Sequence, residues 1–359
     1  MYKWIIILMV CFIVFLLGLA YICTRVQKFV IKSKVISFII VLFFVVLLSL
    51  LLNVTSAIIA VIHYLIVWLV MDLIFYIIKK IRKKDFKVYL SGIFTLTFVS
   101  IYLIIGVYNV YSIKERHYNF TSSKLENKYK IALISDSHIG TTIDSSRLSK
   151  LLKEIKKNNP DMLLIAGDFV DDGTSKEEMV KSCEYLGKLK LKQGVYFVHG
   201  NHDKDYYESS KRGFDSSDLE EELEKNNVKV LKDEKTLINN EIMLVGRRDF
   251  EDSTRLKISD IINDQDVLKY TIIMDHEPND YVNEAKSNAD LVVSGHTHGG
   301  QLFPLNYVGP IVNSNDLVYG TKKIKNTNFI VTSGVSDWEI KFKTGCDSEY
   351  IMININWYL

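Results

Sequence analysis

The 359-residue chain has a formal net charge of only +2, but its two parts carry opposite charge. Between Met1 and Arg116 there are thirteen Lys and Arg against three Asp and Glu, whereas from His117 to Leu359 there are 31 against 39. The acidic part lacks the basic surface needed to bind a phosphate backbone, so the composition disfavours a nucleic-acid-binding protein. The four cysteines have no paired spacing, which disfavours a zinc or redox motif.

Most of the apolar excess lies in residues 1–111, which we predict to be a membrane region. Four runs with few or no charges predict transmembrane helices at residues 4–23, 35–52, 57–78 and 88–111, because about 20 apolar residues cross the hydrocarbon core. Residues 35–78 are too long for one span, and the polar Asn53, Thr55 and Ser56 mark the reversal point. A cleaved signal peptide is the alternative for the first run, but no small-residue cleavage site follows it.

Basic residues indicate the orientation of these helices. Clusters of Lys and Arg follow the first span, at positions 25 to 34, and the third span, at positions 79 to 87. Because such clusters mark cytoplasmic loops, everything after Tyr111 is predicted to lie outside the cytoplasm. We therefore expect a multi-pass cell-membrane protein with an extracytoplasmic domain.

Two ionisable residues lie within the third predicted span. Ionisable side chains at mid-bilayer cost about 2.5–3.5 kcal/mol each, so they can mark a functional site. His63 and Asp72 are nine residues apart and do not share one helical face. We interpret Asp72 as lying near an interface and His63 as bonded to a neighbouring helix.

Residues 112–127 are predicted to be a linker and residues 128–359 an α/β domain. Apolar runs predict strands at 129–135, 162–166, 195–198, 228–231, 242–245, 270–274 and 291–294. A helix is predicted around Leu148, Leu151, Leu152 and Ile155, which share one helical face, and another over 176–190. Asn239-Asn240 predicts a hairpin turn. The alternation of strands and helices is typical of a parallel sheet.

Potential metal ligands follow five of these strands. Because strand carboxyl ends of open α/β sheets meet at one edge, these side chains are expected to converge. Five of the eight histidines fall in these blocks. The blocks are Asp136-Ser137-His138, Gly167-Asp168, Gly200-Asn201-His202-Asp203, Asp275-His276 and Gly295-His296-Thr297-His298.

This ligand pattern predicts a dinuclear centre. Residues i and i+2 of an extended chain lie on the same side, so Asp136 and His138 can hold the same ion. Mixed Asp, Asn and His ligands suit Mn, Fe or Zn. Two such ions about 3.5–4 Å apart can bind a bridging hydroxide and neutralise phosphoryl oxygens during in-line displacement.

The ordered blocks D-x-H, G-D-x-x-D, G-N-H-D, H and G-H-x-H resemble the signature of the calcineurin-like metallophosphoesterases, from about Lys128 onward. The late blocks D-H-x-P and S-G-H-T-H-G-G-Q are similar to those of a membrane-associated bacterial branch. The resemblance implies a four-layer α-β-β-α sandwich in which two sheets pack face to face.

The resemblance also implies a role for each site residue. Asp168 would bridge two ions, and His202, oriented by Asp171, would protonate the leaving oxygen or stabilise the transition state. The remaining ligands implied are Asp136, His138 and His298 for the first ion, and Asn201, His276 and His296 for the second.

The sequence departs from protein-phosphatase members after G-D-x-x-D, where Asp172 replaces an arginine that clamps phosphate. A carboxylate there repels a phosphate dianion more than a diester, so we expect a phosphodiesterase acting on a lipid headgroup, an envelope polymer or a nucleotide. The alternative is a non-catalytic, metal-bound sensor or scaffold. His199 is interpreted as a packing or supporting residue, and Phe303, Tyr307, Tyr319 and Trp338 as buried packing in preference to a substrate groove.

Overall fold

The computed structural model describes residues 2–29, 33–204, 212–308 and 315–357. The chain forms two compact units. Met1–Tyr108 and Glu339–Phe342 make up the first, and Asn109–Trp338 and Lys343–Leu359 make up the second. We call them the helical unit and the sheet unit.

The helical unit contains the apolar helices apart from the last three residues of the fourth. They are α1 (Tyr2–Val26), α2 (Lys34–Leu51), α3 (Val54–Arg82) and α4 (Leu90–Tyr111). By length and composition α2, α3 and α4 can each cross a membrane, whereas Phe12–Val26 of α1 is a shorter apolar helix within the described residues. Membrane association is thus supported, while the number of four spans stays a prediction.

The predicted reversal point between α2 and α3 is confirmed. The Asn53 side chain caps α3 by accepting a hydrogen bond from the Ser56 backbone N–H at 2.7 Å. The Asn53 amide also donates to the Glu339 carbonyl at 2.7 Å, and the Lys341 N–H donates to Ser56 Oγ at 2.9 Å. These bonds hold the Glu339–Phe342 segment within the helical unit.

The two ionisable residues of α3 have local partners. His63 Nδ1 lies 2.8 Å from the Ile59 carbonyl of its own helix, so the expected bond to a neighbouring helix was wrong. Asp72 accepts hydrogen bonds from Tyr21 at 2.8 Å and Tyr89 at 3.0 Å, and it pairs with Arg25 at 2.6 Å. These bonds connect Asp72 of α3 to the C-terminal end of α1 and to Tyr89, which directly precedes α4, and they compensate the charge of Asp72.

The sheet unit contains two six-stranded sheets. Their strand orders are β1-β12-β2-β3-β4-β5 and β10-β11-β9-β8-β7-β6. The strands are β1 (Lys114–Ser122), β2 (Tyr129–Ile134), β3 (Met162–Ala166), β4 (Val195–Val198), β5 (Val228–Val230), β6 (Glu234–Ile238), β7 (Ile242–Gly246), β8 (Tyr270–Met274), β9 (Leu291–Ser294), β10 (Gly320–Ile324), β11 (Thr327–Val331) and β12 (Glu349–Trp357).

Alternation along the strands builds the four layers. In β2, Ile131 and Leu133 face a core shared with Leu244 and Ile272 of the other sheet. Ala132 and Ile134 point the opposite way, into a second core that includes Leu148. That second core lies under α5 (Ser145–Lys157), α6 (Lys176–Gly187) and α7 (Ser216–Lys225), and a third core lies under α8 (Ile258–Ile261) and α9 (Tyr281–Lys286). The predicted α-β-β-α sandwich is confirmed.

Most of the segment predicted to be a linker is strand β1. It pairs in parallel with β12 over nine residues, Lys114–Ser122 against Glu349–Trp357. Apolar sequence patterns do not predict β1, because it is a polar edge strand whose residues are mostly exposed. The hairpin is confirmed, since Asn239 and Asn240 have φ values of 49° and 57° between the antiparallel strands β6 and β7.

Candidate metal centre

The five ligand blocks converge where strands of both sheets end. Asp136 and His138 follow β2, Asp168 follows β3, and Asn201 and His202 follow β4. From the second sheet, His276 follows β8, and His296 and His298 follow β9. Asp136, His138, Asp168 and His276 are all at most 2% exposed. Side chains from widely separated parts of the chain thus share one buried site.

The backbone adopts the left-handed conformation at these positions, and this turns the chain sharply. Asp136, Asp168 and His298 have φ values of 52°, 51° and 48°, and His138 and His296 share this conformation with φ of 39° and 70°. Such conformations are uncommon for residues other than glycine and cluster at functional sites. Gly200 is required for a different reason, because a Cβ there would lie 2.2 Å from Asp168 Oδ1.

One group of donor atoms comes from Asp136, His138 and His298. His138 Nε2 lies 3.2 Å from His298 Nε2, and His298 Nε2 lies 3.6 Å from Asp136 Oδ1. Around an ion at a ligand distance of about 2.1 Å, neighbouring donor atoms are about 3.0–3.4 Å apart. The 3.2 Å spacing of the two histidine nitrogens therefore suits a shared cation, and the Asp136 oxygen lies only slightly further away, at 3.6 Å.

A second group comes from Asp168, His276 and His296. His276 Nε2 lies 3.1 Å from Asp168 Oδ2, and His296 Nδ1 lies 3.1 Å from Asn201 Oδ1. Asp168 also approaches the first group, since its Oδ2 is 3.6 Å from His138 Nε2. The Asp168 carboxylate therefore lies between the two groups.

Buried ring nitrogens test whether a metal fits this site. His276 Nδ1 donates to the Ala166 carbonyl at 2.7 Å, which fixes the ring and leaves the lone pair of Nε2 facing Asp168. Nε2 of His276 is buried without a hydrogen-bond partner. A lone pair opposite a carboxylate is unfavourable unless a cation lies between them. The donor set fits borderline divalent ions.

Burial and neighbouring charges set the protonation of the first group. Burial raises the pKa of Asp136 to about 6, and the Asp168 carboxylate adds to the effect. Burial lowers the pKa of His138 to about 4 and that of His298 well below its ordinary value. These two rings are neutral at physiological pH, which is the form that coordinates metal.

The second group has an uneven charge distribution. Burial lowers the pKa of His296 to about 4. Burial also opposes a charge on His276, but the Asp168 carboxylate raises its pKa well above the ordinary value. The field beside Asp168 therefore favours a positive charge, which either a proton or a metal ion supplies.

His202 forms a pair with Asp171 beside these groups. Its Nδ1–H donates to Asp171 Oδ1 at 2.8 Å, and its backbone N–H donates to Asp168 Oδ1 at 2.9 Å. Burial lowers the pKa of His202, but the Asp171 hydrogen bond and nearby carboxylates raise it to about 8. The ring is thus held in one orientation and is protonated at neutral pH, as a general acid requires.

Sequence reasoning assigned no role to Asp203 and Lys343. Asp203 Oδ1 accepts the backbone N–H groups of Phe169 and Val170, and its Oδ2 accepts that of Gly200, so it joins two ligand-bearing turns. Its place at the end of G-N-H-D was the available signal. Lys343 is fully buried and donates to the Ser333 carbonyl at 2.7 Å, and no motif marks it.

The remaining candidates from the sequence are His199 and three aromatic residues. His199 Nε2 lies 2.9 Å from Glu220 Oε1, away from the donor groups. Phe303, Tyr307 and Trp338 are 56%, 66% and 42% exposed, so the interpretation of these three as buried packing was wrong. The Trp338 ring lies 5.2 Å from that of His202.

Comparison with known proteins agrees with this geometry. The model of the calcineurin-like phosphoesterase family matches residues 129–300. An uncharacterized metallophosphoesterase of Aquifex aeolicus is 30% identical over 216 residues, which cover 57% of this chain and 78% of the relative. One from Campylobacter jejuni is 26% identical over 289 residues, covering 76% and 72%.

A vertebrate relative also combines a membrane region with this domain. A Danio rerio transmembrane protein with metallophosphoesterase domain is 30% identical over 236 residues, 62% of this chain, which spans about half (52%) of that relative's length. The match to the family model includes all five ligand blocks in sequence order, and the structure brings those blocks together. The chain belongs to the calcineurin-like metallophosphoesterases.

Proposed function

We propose that this protein is a dinuclear metal-dependent phosphodiesterase. The observation that carries the proposal is the position of Asp168, whose carboxylate lies 3.1 Å from His276 of one donor group and 3.6 Å from His138 of the other. A carboxylate with donors on both sides suits a bridge between two cations. Family membership supports hydrolysis of a phosphate ester as the reaction.

In this proposal, the two donor groups hold separate ions. Asp136, His138 and His298 would hold the first ion, Asn201, His276 and His296 would hold the second, and Asp168 would be shared. When bound, Mn, Fe or Zn ions lower the pKa of a water molecule and neutralise the phosphoryl oxygens. The burial of most of these imidazoles and carboxylates keeps the donors fixed.

His202 is proposed as the general acid. Nδ1 is occupied by Asp171, so Nε2 is the ring nitrogen from which a proton can pass to the leaving oxygen. Asp171 orients the ring and stabilises its protonated form. A sensor or scaffold would have no use for this pair, which is why we favour an enzyme.

The neighbourhood of His202 favours diesters over monoesters. The Asp172 carboxylate is close enough to His202 to contribute to its raised pKa and to form a cluster of donor atoms with it and Asp171. A monoester dianion would meet this negative charge, whereas a diester carries one charge fewer. We therefore expect higher kcat/KM for a diester than for the corresponding monoester.

We further propose that the catalytic domain is extracytoplasmic. Arg25 lies in the last turn of α1, and Lys79, Lys80 and Arg82 lie in the last turn of α3. This placement of basic residues supports a cytoplasmic location for those two helix ends. Protease treatment of intact cells should cleave the domain, and cleavage only after lysis would reverse the orientation.

The activity is tested on the full-length protein in detergent with Mn²⁺. Bis-p-nitrophenyl phosphate should be hydrolysed, and Asp168→Asn should abolish turnover. Absence of wild-type hydrolysis with Mn, Fe, Zn and Co would refute the proposal. His202→Ala separates catalysis from a scaffold role, because an enzyme should lose activity in this variant while retaining its bound metal.

A further inference from the structure

A long uncharged stretch begins directly after the ligand His298. From Gly299 to Asn315 the sequence contains no Asp, Glu, Lys or Arg. The chain is 24% charged, so about four charged residues would be expected in seventeen. Such a stretch in an otherwise highly charged domain indicates an environment that does not favour charge.

The described part of this stretch exposes large apolar side chains. Phe303, Leu305 and Tyr307 are 56%, 51% and 66% exposed, and we call these three residues the aromatic loop. Leu302 anchors the loop by being 9% exposed, and the Phe303 N–H donates to Thr344 Oγ1 at 3.2 Å. The Phe303 and Tyr307 rings are 6.2 Å apart, so they form one local patch.

We propose that the aromatic loop inserts into the interfacial layer of the membrane that holds the helices of this chain. Aromatic and apolar residues without charge are the composition found at that layer. Helix α4 ends at Tyr111 and β1 begins at Lys114, so only two residues connect an apolar helix to the first sheet. The bilayer is therefore the apolar surface to which the chain itself is attached.

The inserted loop would define the substrate class, and this consequence rests on the proposed phosphodiesterase function. The loop begins at Phe303, five residues after His298, so only Gly299, Gly300, Gln301 and Leu302 separate the ligand from the aromatic loop. A loop at the lipid headgroups places the adjoining metal centre at the depth of lipid phosphates. We infer that the site acts on phosphodiesters of lipid headgroups in the same membrane.

Photo-crosslinking tests membrane contact without requiring activity. The full-length protein is placed in nanodiscs of phosphatidylglycerol and phosphatidylethanolamine, with p-benzoylphenylalanine replacing Phe303 or Tyr307. Phe98 of α4, 53% exposed, serves as the positive control. Phe250, 45% exposed but flanked by Asp249 and Glu251, is the matched negative control.

Mass spectrometry should detect lipid adducts at Phe303 and Tyr307 within about twofold of the yield at Phe98, and at least about fivefold above Phe250. Yields equal to that at Phe250 would overturn the inference. Crosslinks between two copies of the chain in place of lipid adducts would also overturn it, because the loop would then be a contact between protomers.

Kinetics test the substrate class separately. The ratio of turnover on a diacyl p-nitrophenyl phosphodiester in mixed micelles to turnover on bis-p-nitrophenyl phosphate should fall about tenfold in the Phe303→Asp, Tyr307→Asp double variant. An unchanged ratio would refute the lipid substrate class. If the wild type hydrolyses neither substrate, the proposed function fails, and the crosslinks still decide whether the loop contacts lipid.

Discussion

Asp171→Asn should move the alkaline limb of the pH–rate profile towards lower pH. The Asp171 hydrogen bond contributes to the His202 pKa of about 8, against an ordinary value of 6.5. Asn keeps the shape and an acceptor oxygen but removes the charge, while Asp168 and Asp172 remain. We expect a shift of about one unit, which lowers the protonated fraction of His202 by up to about tenfold at pH values above the pKa of both proteins.

The direction follows from which form of His202 is active. The acid must carry its proton, so activity is present below the pKa and falls as the pH rises through it. Bound cations lower the pKa in both proteins, so the difference between wild type and variant is the predicted quantity. The assay is kcat of the full-length Mn²⁺ protein on bis-p-nitrophenyl phosphate from pH 5.5 to 9.5.

A change of leaving group provides the control. An alkoxide leaving group needs the proton more than p-nitrophenolate does, so Asp171→Asn should slow an alkyl diester more than the nitrophenyl diester. His202→Ala should remove this alkaline limb. The assignment of His202 as the acid would be refuted if the alkaline limb of the pH–rate profile did not shift in Asp171→Asn. It would also be refuted if the same limb were still present in His202→Ala.

Three further predictions concern the metal centre. Asp168→Asn should reduce bound metal from two equivalents to one or fewer, measured by plasma mass spectrometry, and lower turnover at least about 100-fold. Gly200→Ala should reduce turnover because its Cβ would meet Asp168 at 2.2 Å, whereas Gly173→Ala, with nothing within 4 Å, should behave as wild type. Chelation should lower the midpoint temperature of thermal unfolding, because a metal ion present at 1,000 times its Kd stabilises the folded protein by about 4 kcal/mol. An unchanged midpoint would exclude a resident ion.

Sequence patterns were informative where one physical rule dominates. The apolar runs that became β2, β3, β8 and β9 are buried on both faces, so hydrophobicity alone predicted them. Each is followed by polar residues, and the common direction of parallel strands brings those residues to one edge. Convergence of the ligand blocks within each sheet could therefore be predicted, whereas the meeting of the two sets depends on how the two sheets pack.

Features that depend on distant pairing were not predictable in this way. β1 is polar and exposed, and it forms a strand because β12, more than 200 residues later, pairs with it. The buried Lys343 has no local signal, since a lysine is ordinarily exposed and only the fold supplies the Ser333 carbonyl. The exposure of Phe303 and Tyr307 opposes the usual burial of aromatics, so composition alone gave the wrong interpretation.

The arrangement of charge explains why the site needs both a rigid frame and cations. Asp136, Asp168, Asp171 and Asp203 are each at most 5% exposed, and four carboxylates this close would repel one another if all were ionised. Asp203 is compensated by three backbone N–H groups and Asp171 by His202. Asp136 and Asp168 each accept a backbone N–H, from His296 and His202, but they lie beside imidazoles that burial keeps neutral except for His276. Cations between these two carboxylates and the rings would remove the repulsion without adding protons, which is why the same residues that destabilise the metal-free site suit a metal centre.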